Sequence, residues 1–171
     1  MPRYVAFLRG ISPVNAKMPE LKRCFETAGF TKVRTILASG NIVFDARSAS
    51  EAALERKAEA AMQALLGRAF FTIVRPVTAL EQLLTGDPYA ACCVAPGAKR
   101  VVSFLREPAR PKVALPLEAD GAKVLCVRDR EAFTAYLPSA NGPVFMKLIE
   151  KAFGTDVTTR TWETVKKCAA A

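Results

Sequence analysis

Apolar residues occur in short blocks separated by glycine, proline and charged turns, and the blocks switch between strand and helix periods. Residues 3–9 are mostly apolar and end at Gly10, the pattern of a buried strand. A loop over 10–17, with Pro13 and Asn15, leads to Pro19 in the first turn of a helix. Leu21, Cys24, Phe25 and Ala28 then fall at i, i+3, i+4 and i+7, one helical stripe, and Gly29 supplies the positive-φ position that closes it. Residues 33–37 and 42–45 flank Ala38-Ser39-Gly40-Asn41 and predict a hairpin. Ser48-Ala49-Ser50-Glu51 has the form of a capping box, opening a helix to about Leu66 with Leu54, Ala58, Ala61, Met62 and Leu65 on one face. Gly67 ends it, residues 70–74 read as a strand, and Thr78 is placed to cap a short helix through Leu84.

The order then recurs. Arg3-Tyr4-Val5-Ala6-Phe7-Leu8-Arg9 returns as Arg100-Val101-Val102-Ser103-Phe104-Leu105-Arg106, five identities in seven at an offset of 97. Residues 112–119 are expected to form a poor helix, interrupted by Pro111 and Pro116. Residues 124–127 and 133–137 form the second hairpin around Arg128-Asp129-Arg130-Glu131. Phe145, Leu148, Ile149 and Ala152 mark a helix ended by Gly154, a short strand covers 157–159, and Thr161 caps a last helix carrying Trp162, Val165 and Ala169. The turn-rich stretch from Gly86 to Gly97 is the expected linker, dividing the chain into halves 1–97 and 98–171 within one compact unit. The expected fold is α+β: two tandem ferredoxin-like β-α-β-β-α-β repeats with a C-terminal helix.

Composition narrows the chemistry. The 171 residues carry 25 Lys and Arg against 16 Asp and Glu, a net charge of +9, which favours phosphates and other anions as partners. No histidine is present, so Ser-His and Cys-His nucleophilic pairs are excluded and the commonest metal ligand is missing. Five cysteines, with no Cys-x-x-Cys, suggest neither a disulfide framework nor a zinc ribbon. No apolar run is long enough for a secretory leader or a membrane span, so a soluble cytoplasmic protein without membrane contact is expected. Gly-x-Gly-x-x-Gly, P-loop and RNA-recognition aromatic patterns do not occur, and neither a cofactor nor a metal is expected.

Three segments carry a family likeness: Tyr4-Val5-Ala6-Phe7-Leu8-Arg9-Gly10-Ile11, Ser39-Gly40-Asn41-Ile42-Val43-Phe44 and Thr158-Thr159-Arg160-Thr161-Trp162-Glu163-Thr164-Val165. With Leu21 and Ala28-Gly29-Phe30, the chain resembles the bacterial domain-of-unknown-function family 1697 at both ends. The resemblance implies a fold family and no activity. Compared with the family pattern, loop 10–17 lacks a glycine pair, Thr161 and Glu163 replace two asparagines, and Met146 replaces a serine within the divergent stretch 139–147.

The candidate site follows from the ends of elements. Arg9-Gly10 at the end of the first strand offers a guanidinium beside exposed backbone N–H groups, an anion clamp, although a charged strand end also serves as a plain terminator. Ser39-Gly40-Asn41 is first a hairpin turn. Arg160, Trp162 and Thr164 surround the start of the last helix, where N–H groups receive anions, but Thr161 and Glu163 already serve that terminus. Gathered at the seam of the two halves, these eight residues would form a binding site for an anionic ligand, either nucleic acid or a phosphorylated small molecule. A histidine-free enzyme acting on a small acidic metabolite through Arg9, Arg160 and a carboxylate is the weaker alternative. A protein-interaction scaffold with exposed sheet edges is the third.

Overall fold

A computed structural model describes residues 1–171. The chain divides into two units, Met1–Leu84 with Val165–Ala171, and Thr85–Thr164. The first contains β1 (Arg3–Leu8), α1 (Met18–Thr27), β2 (Thr31–Ile36), β3 (Asn41–Asp45), α2 (Glu51–Leu66), β4 (Thr72–Pro76) and most of α3 (Val77–Gly86). Its strands form an antiparallel sheet in the order β2-β3-β1-β4. Tyr4, Ala6 and Leu8 of the central β1 face a core that includes Leu21, Cys24 and Phe25 of α1 and Leu54, Ala58 and Met62 of α2. Val5 and Phe7, on the opposite face of the strand, are equally buried, which is why residues 4–8 read as one apolar block.

Local signals set the helix ends. The Phe30 N–H donates to the Phe25 carbonyl at 3.2 Å and the Gly29 N–H to Glu26 at 3.0 Å, a Schellman closure for which Gly29 supplies a φ of +90°. The Phe25 and Phe30 rings, 5.7 Å apart, make the apolar contact that accompanies it. The N-cap, however, is Ser50 rather than Ser48, and no capping box forms: the Ser50 hydroxyl accepts from the Ala53 N–H at 3.2 Å. With Ser50 outside the helix, Glu51 becomes its first residue and turns to Arg75, Nη1 to Oε2 3.5 Å. The expected apolar face is also redrawn, since Leu65 is exposed and Glu55 is buried. Helix α3 starts at Val77, directly after β4, so Thr78 lies within its first turn and not at a cap.

Glu55 is buried because it closes a sheet edge. Strand β4 has β1 on one side only, so the N–H groups of Thr72 and Val74 point away from the sheet. Glu59 Oε1 accepts from Thr72 at 3.1 Å and Glu55 Oε1 from Val74 at 3.0 Å. The next outward position is Pro76, which has no N–H. Acids four residues apart on α2 therefore occupy the edge that another strand would otherwise extend. Replacing Glu55 with leucine leaves the buried Val74 N–H without this acceptor and is expected to cost about 2 kcal/mol. Glutamine, which keeps a carbonyl oxygen there, should retain most of the stability; urea melts of both variants measure the difference.

The second unit contains a 3-10 turn at Pro88–Ala91, then β5 (Lys99–Leu105), β6 (Leu117–Ala119), β7 (Ala122–Arg128), β8 (Glu131–Tyr136), α4 (Val144–Phe153) and β9 (Val157–Thr161), followed by the start of α5 (Trp162–Ala170). The sheet is antiparallel with order β6-β7-β8-β5-β9. The helix expected over 112–119 does not form, so this unit is not a β-α-β-β-α-β copy. Pro108, Pro111 and Pro116 deny that segment a continuous run of N–H donors. It covers the core in irregular form instead: Ala109, Val113 and Leu115 pack against the buried cluster that includes Ile149 and Phe153, and the Lys112 N–H donates to the Ala152 carbonyl at 2.8 Å. Leu117–Ala119 then pairs with β7 across Asp120-Gly121, both at positive φ as a tight hairpin demands.

The strands that do correspond keep the same pairing. Val5 stands opposite Val43 and Arg75; Val102 stands opposite Phe133 and Arg160. Arg75 and Arg160 each donate to the carbonyl of the residue before them, at 3.0 and 2.9 Å. Register shifts interrupt both β2 and β7. The expected boundary at residue 97 falls inside the second unit, because Tyr89 of the 3-10 turn packs edge-on against Phe133 and Trp162. The chain's last residues group with the first unit, where Arg3 Nε donates to the Ala171 carbonyl at 2.9 Å.

Candidate functional site

Five of the eight sequence-derived site residues converge at one end of the first sheet. The Leu8 N–H donates to the Gly40 carbonyl at 2.9 Å and the Arg9 N–H to the Phe71 carbonyl at 2.8 Å, so Arg9 leaves the sheet held by its neighbours on both sides. Gly10 follows at a φ of +78°, exposed, with open space where a Cβ would stand. Asn15 braces this loop: its Nδ2 donates to the Gly10 carbonyl at 2.7 Å and its Oδ1 accepts from the Ser12 N–H at 2.8 Å. The Asn41 side chain is fully buried and closes the hairpin, donating to the Ile36 carbonyl and to Ser39 Oγ, both at 2.9 Å. Arg9, Gly10 and Ser39 reach solvent, whereas Gly40 and Asn41 are interior parts of the turn.

Arg160, Trp162 and Thr164 belong to the second unit and serve its interior. The indole is buried edge-on to Tyr89, centroids 5.2 Å apart and planes at 79°, and so presents no open face for stacking. The Arg160 guanidinium is buried and donates to the Thr159 carbonyl at 2.9 Å. The Thr164 N–H donates to Thr161 Oγ1 at 3.2 Å, the cap expected for the last helix.

A second feature of the first unit was not legible in the sequence. At the opposite end of the sheet, beyond the last residue of β3, a cavity of about 610 Å³ opens between the start of α2 and the end of α1. Phe30, Ala46 and Leu54 form apolar wall, and Arg47 and Lys57 supply the only charged side chains among its lining residues. Lys57 Nζ stands 5.9 Å from the Phe30 ring centroid. The nearest acids are engaged elsewhere: Arg3 holds Asp45 at 2.6 Å with Lys32 at 3.4 Å, and Glu51 faces Arg75. Burial alone would raise the Asp45 carboxyl, but hydrogen bonds from Arg3 and Lys32 and their charges win, holding it below its usual range and fully ionised near neutrality. Arg47 and Lys57 lie ten residues apart across a helix start, and no local motif links them.

Other reactive groups are quiet. Burial, followed by the neighbouring Cys92, raises the Cys126 thiol; burial followed by Glu20 raises Cys24; neither is primed as a thiolate. Burial pushes the Tyr89 phenol far up, and its hydroxyl donates to the Val101 carbonyl. No group of three or more Cys, Asp or Glu side chains is placed to hold a metal ion. No helix is long and apolar enough to cross a membrane.

Residues 1–133 match the model of a family described as Protein of unknown function (DUF1697). Among solved structures, the conserved bacterial protein SP0830 from Streptococcus pneumoniae is similar, with a TM-score of 0.73 and 20% identity over 99% of this chain and 97% of that one. At that identity the likeness concerns the fold. No curated protein matches the chain.

Proposed function

This chain belongs to the DUF1697 family, whose description carries no activity, and from that premise we propose that it is a binding module for a phosphate-bearing ligand, seated at the loop end of the first unit. The observation that supports this most is Gly10: an exposed residue at positive φ, with open space where a Cβ would stand, directly after Arg9 at the end of β1. Backbone N–H groups in such a turn and a forked guanidinium are complementary to a phosphate. Ser39 adds a hydroxyl from the adjoining hairpin, Gly40 and Asn41 hold the two loops in register, and the +9 charge favours an anion's approach. Arg160, Trp162 and Thr164 enter this reading as the frame of the second unit. We read the first unit as ferredoxin-like and the second as a shortened duplicate of it, on the strength of the matching strand pairs.

Fluorescence anisotropy with a labelled single-stranded oligonucleotide and with a labelled nucleotide tests the reading and separates its two sources of phosphate. Oligonucleotide binding should weaken with salt, with a slope near −0.7 per contacted phosphate in log affinity against log salt. Arg9→Ala should weaken whichever ligand binds by about tenfold and, for the polymer, flatten that slope by about one contact. Absence of binding to both probes at low salt, or unchanged affinity in Arg9→Ala, overturns the proposal.

A further inference from the structure

The cavity at the far end of the first sheet has the chemistry of a ligand site, and we infer that it binds a small organic anion: a compact apolar body carrying one phosphate or carboxylate head. Its volume of about 610 Å³ lies within the range of small-molecule pockets. The room comes from small residues: Gly29 at the end of α1, Ala46 after β3, and Ala49 and Ala53 on either side of the Ser50 cap. Phe30, nearly buried and stacked on Phe44 with centroids 4.3 Å apart at 24°, lies behind the cavity and fixes its back.

The head group is specified by charge. Arg47 and Lys57 are exposed at the cavity, form no ion pair, and face no lining carboxylate. The closest acids, Asp45 and Glu51, are already bound to Arg3 with Lys32 and to Arg75. A forked guanidinium and an ammonium together suit a phosphate monoester or a carboxylate. Two cations beside a short cavity favour a small molecule, since a polymer would need a longer basic track.

This site is independent of the Arg9 loop. Gly10 follows the end of β1, whereas Ala46, whose N–H donates to the Pro2 carbonyl, and Arg47 follow the end of the antiparallel β3, so the two lie at opposite ends of the sheet, more than about 20 Å apart at the rise of a strand.

Isothermal titration with phenyl phosphate, benzoate, inorganic phosphate and acetate tests the inference on the full chain. At least one aromatic probe should bind ten or more times tighter than its head group alone, and which one does so identifies the head. The double variant Arg47→Ala/Lys57→Ala should lose at least tenfold, and Ala53→Trp, which keeps both cations and fills the cavity, should lose a similar factor. Repeating the titrations in the Arg9→Ala background, which removes the loop site proposed above, should leave the tenfold preference for the aromatic probe intact. Circular-dichroism melts show that each variant is folded. The inference is overturned if neither aromatic probe outbinds its head group, if the double variant binds as well as the parent, or if filling the cavity has no effect.

Discussion

Replacing Phe44 with alanine is expected to lower the unfolding free energy by about 4 kcal/mol, within the range for a large aromatic removed from a core. Phe44 is fully buried on β3 and touches three rings: Phe30 at 4.3 Å, Phe25 at 5.5 Å and Tyr4 at 5.8 Å. Those partners come from the end of α1, its body and the central strand, so the cavity left behind borders several elements and none can close it alone. Urea denaturation should show a lower midpoint at an unchanged slope, the sign of lost stability rather than an altered unfolded chain. Leucine at this position should cost less than half as much. A loss below 1 kcal/mol for the alanine variant would mean that the aromatic cluster does not organise the core. Because Phe44 backs Phe30, the same variant should also weaken phenyl phosphate binding.

Gly40→Ala is expected to cost about 3 kcal/mol, a large penalty for one methyl group. Two causes combine. The residue has a φ of +83°, which an L side chain adopts at a cost of roughly 1–2 kcal/mol. The new Cβ would also stand 2.7 Å from Ile11 Cγ1 and 3.1 Å from Leu8 Cβ, and overpacking of that kind costs about 1–3 kcal/mol. A double-mutant cycle separates them. Ile11→Ala in the Gly40→Ala background should recover the steric part, a coupling of about 1–2 kcal/mol, and leave the backbone part. Additive losses would show that the turn yields without pressing on Ile11. Since Gly40 holds the loop of Arg9 against the sheet, phosphate affinity should fall along with stability.

How much of this was legible in the chain depended on whether the signal was local. The Gly29 closure and the Thr161 cap needed only neighbouring residues, and both form as their spacing implies. The Ser48 capping box failed because a second serine two residues on competes for the same role, and Glu51 finds Arg75 rather than a helix N–H. Buried Glu55 looked like a misfit on an apolar stripe because its partner, the Val74 N–H, is nineteen residues away and belongs to the backbone. Residues 112–119 were legible as a damaged helix, but that an unpaired apolar segment would do the helix's work and end in an added strand required the shape of the core beneath it. At the candidate site, adjacency along the chain revealed Arg9-Gly10, whereas Arg47 and Lys57 acquire meaning only once a helix start and a strand end are brought together.

The acids along α2 make that helix a ruler laid against β4. Glu51, Glu55 and Glu59 recur every four residues, slightly more than one turn, while their targets Arg75, Val74 and Thr72 descend the strand. One residue inserted between Glu55 and Glu59 would rotate everything beyond it by about 100° and bring one set of contacts out of phase with the other. Length change is therefore far better tolerated past Leu66, in the stretch before β4, than within the helix, and comparisons among relatives should find gaps there and an uninterrupted count from Glu51 to Glu59.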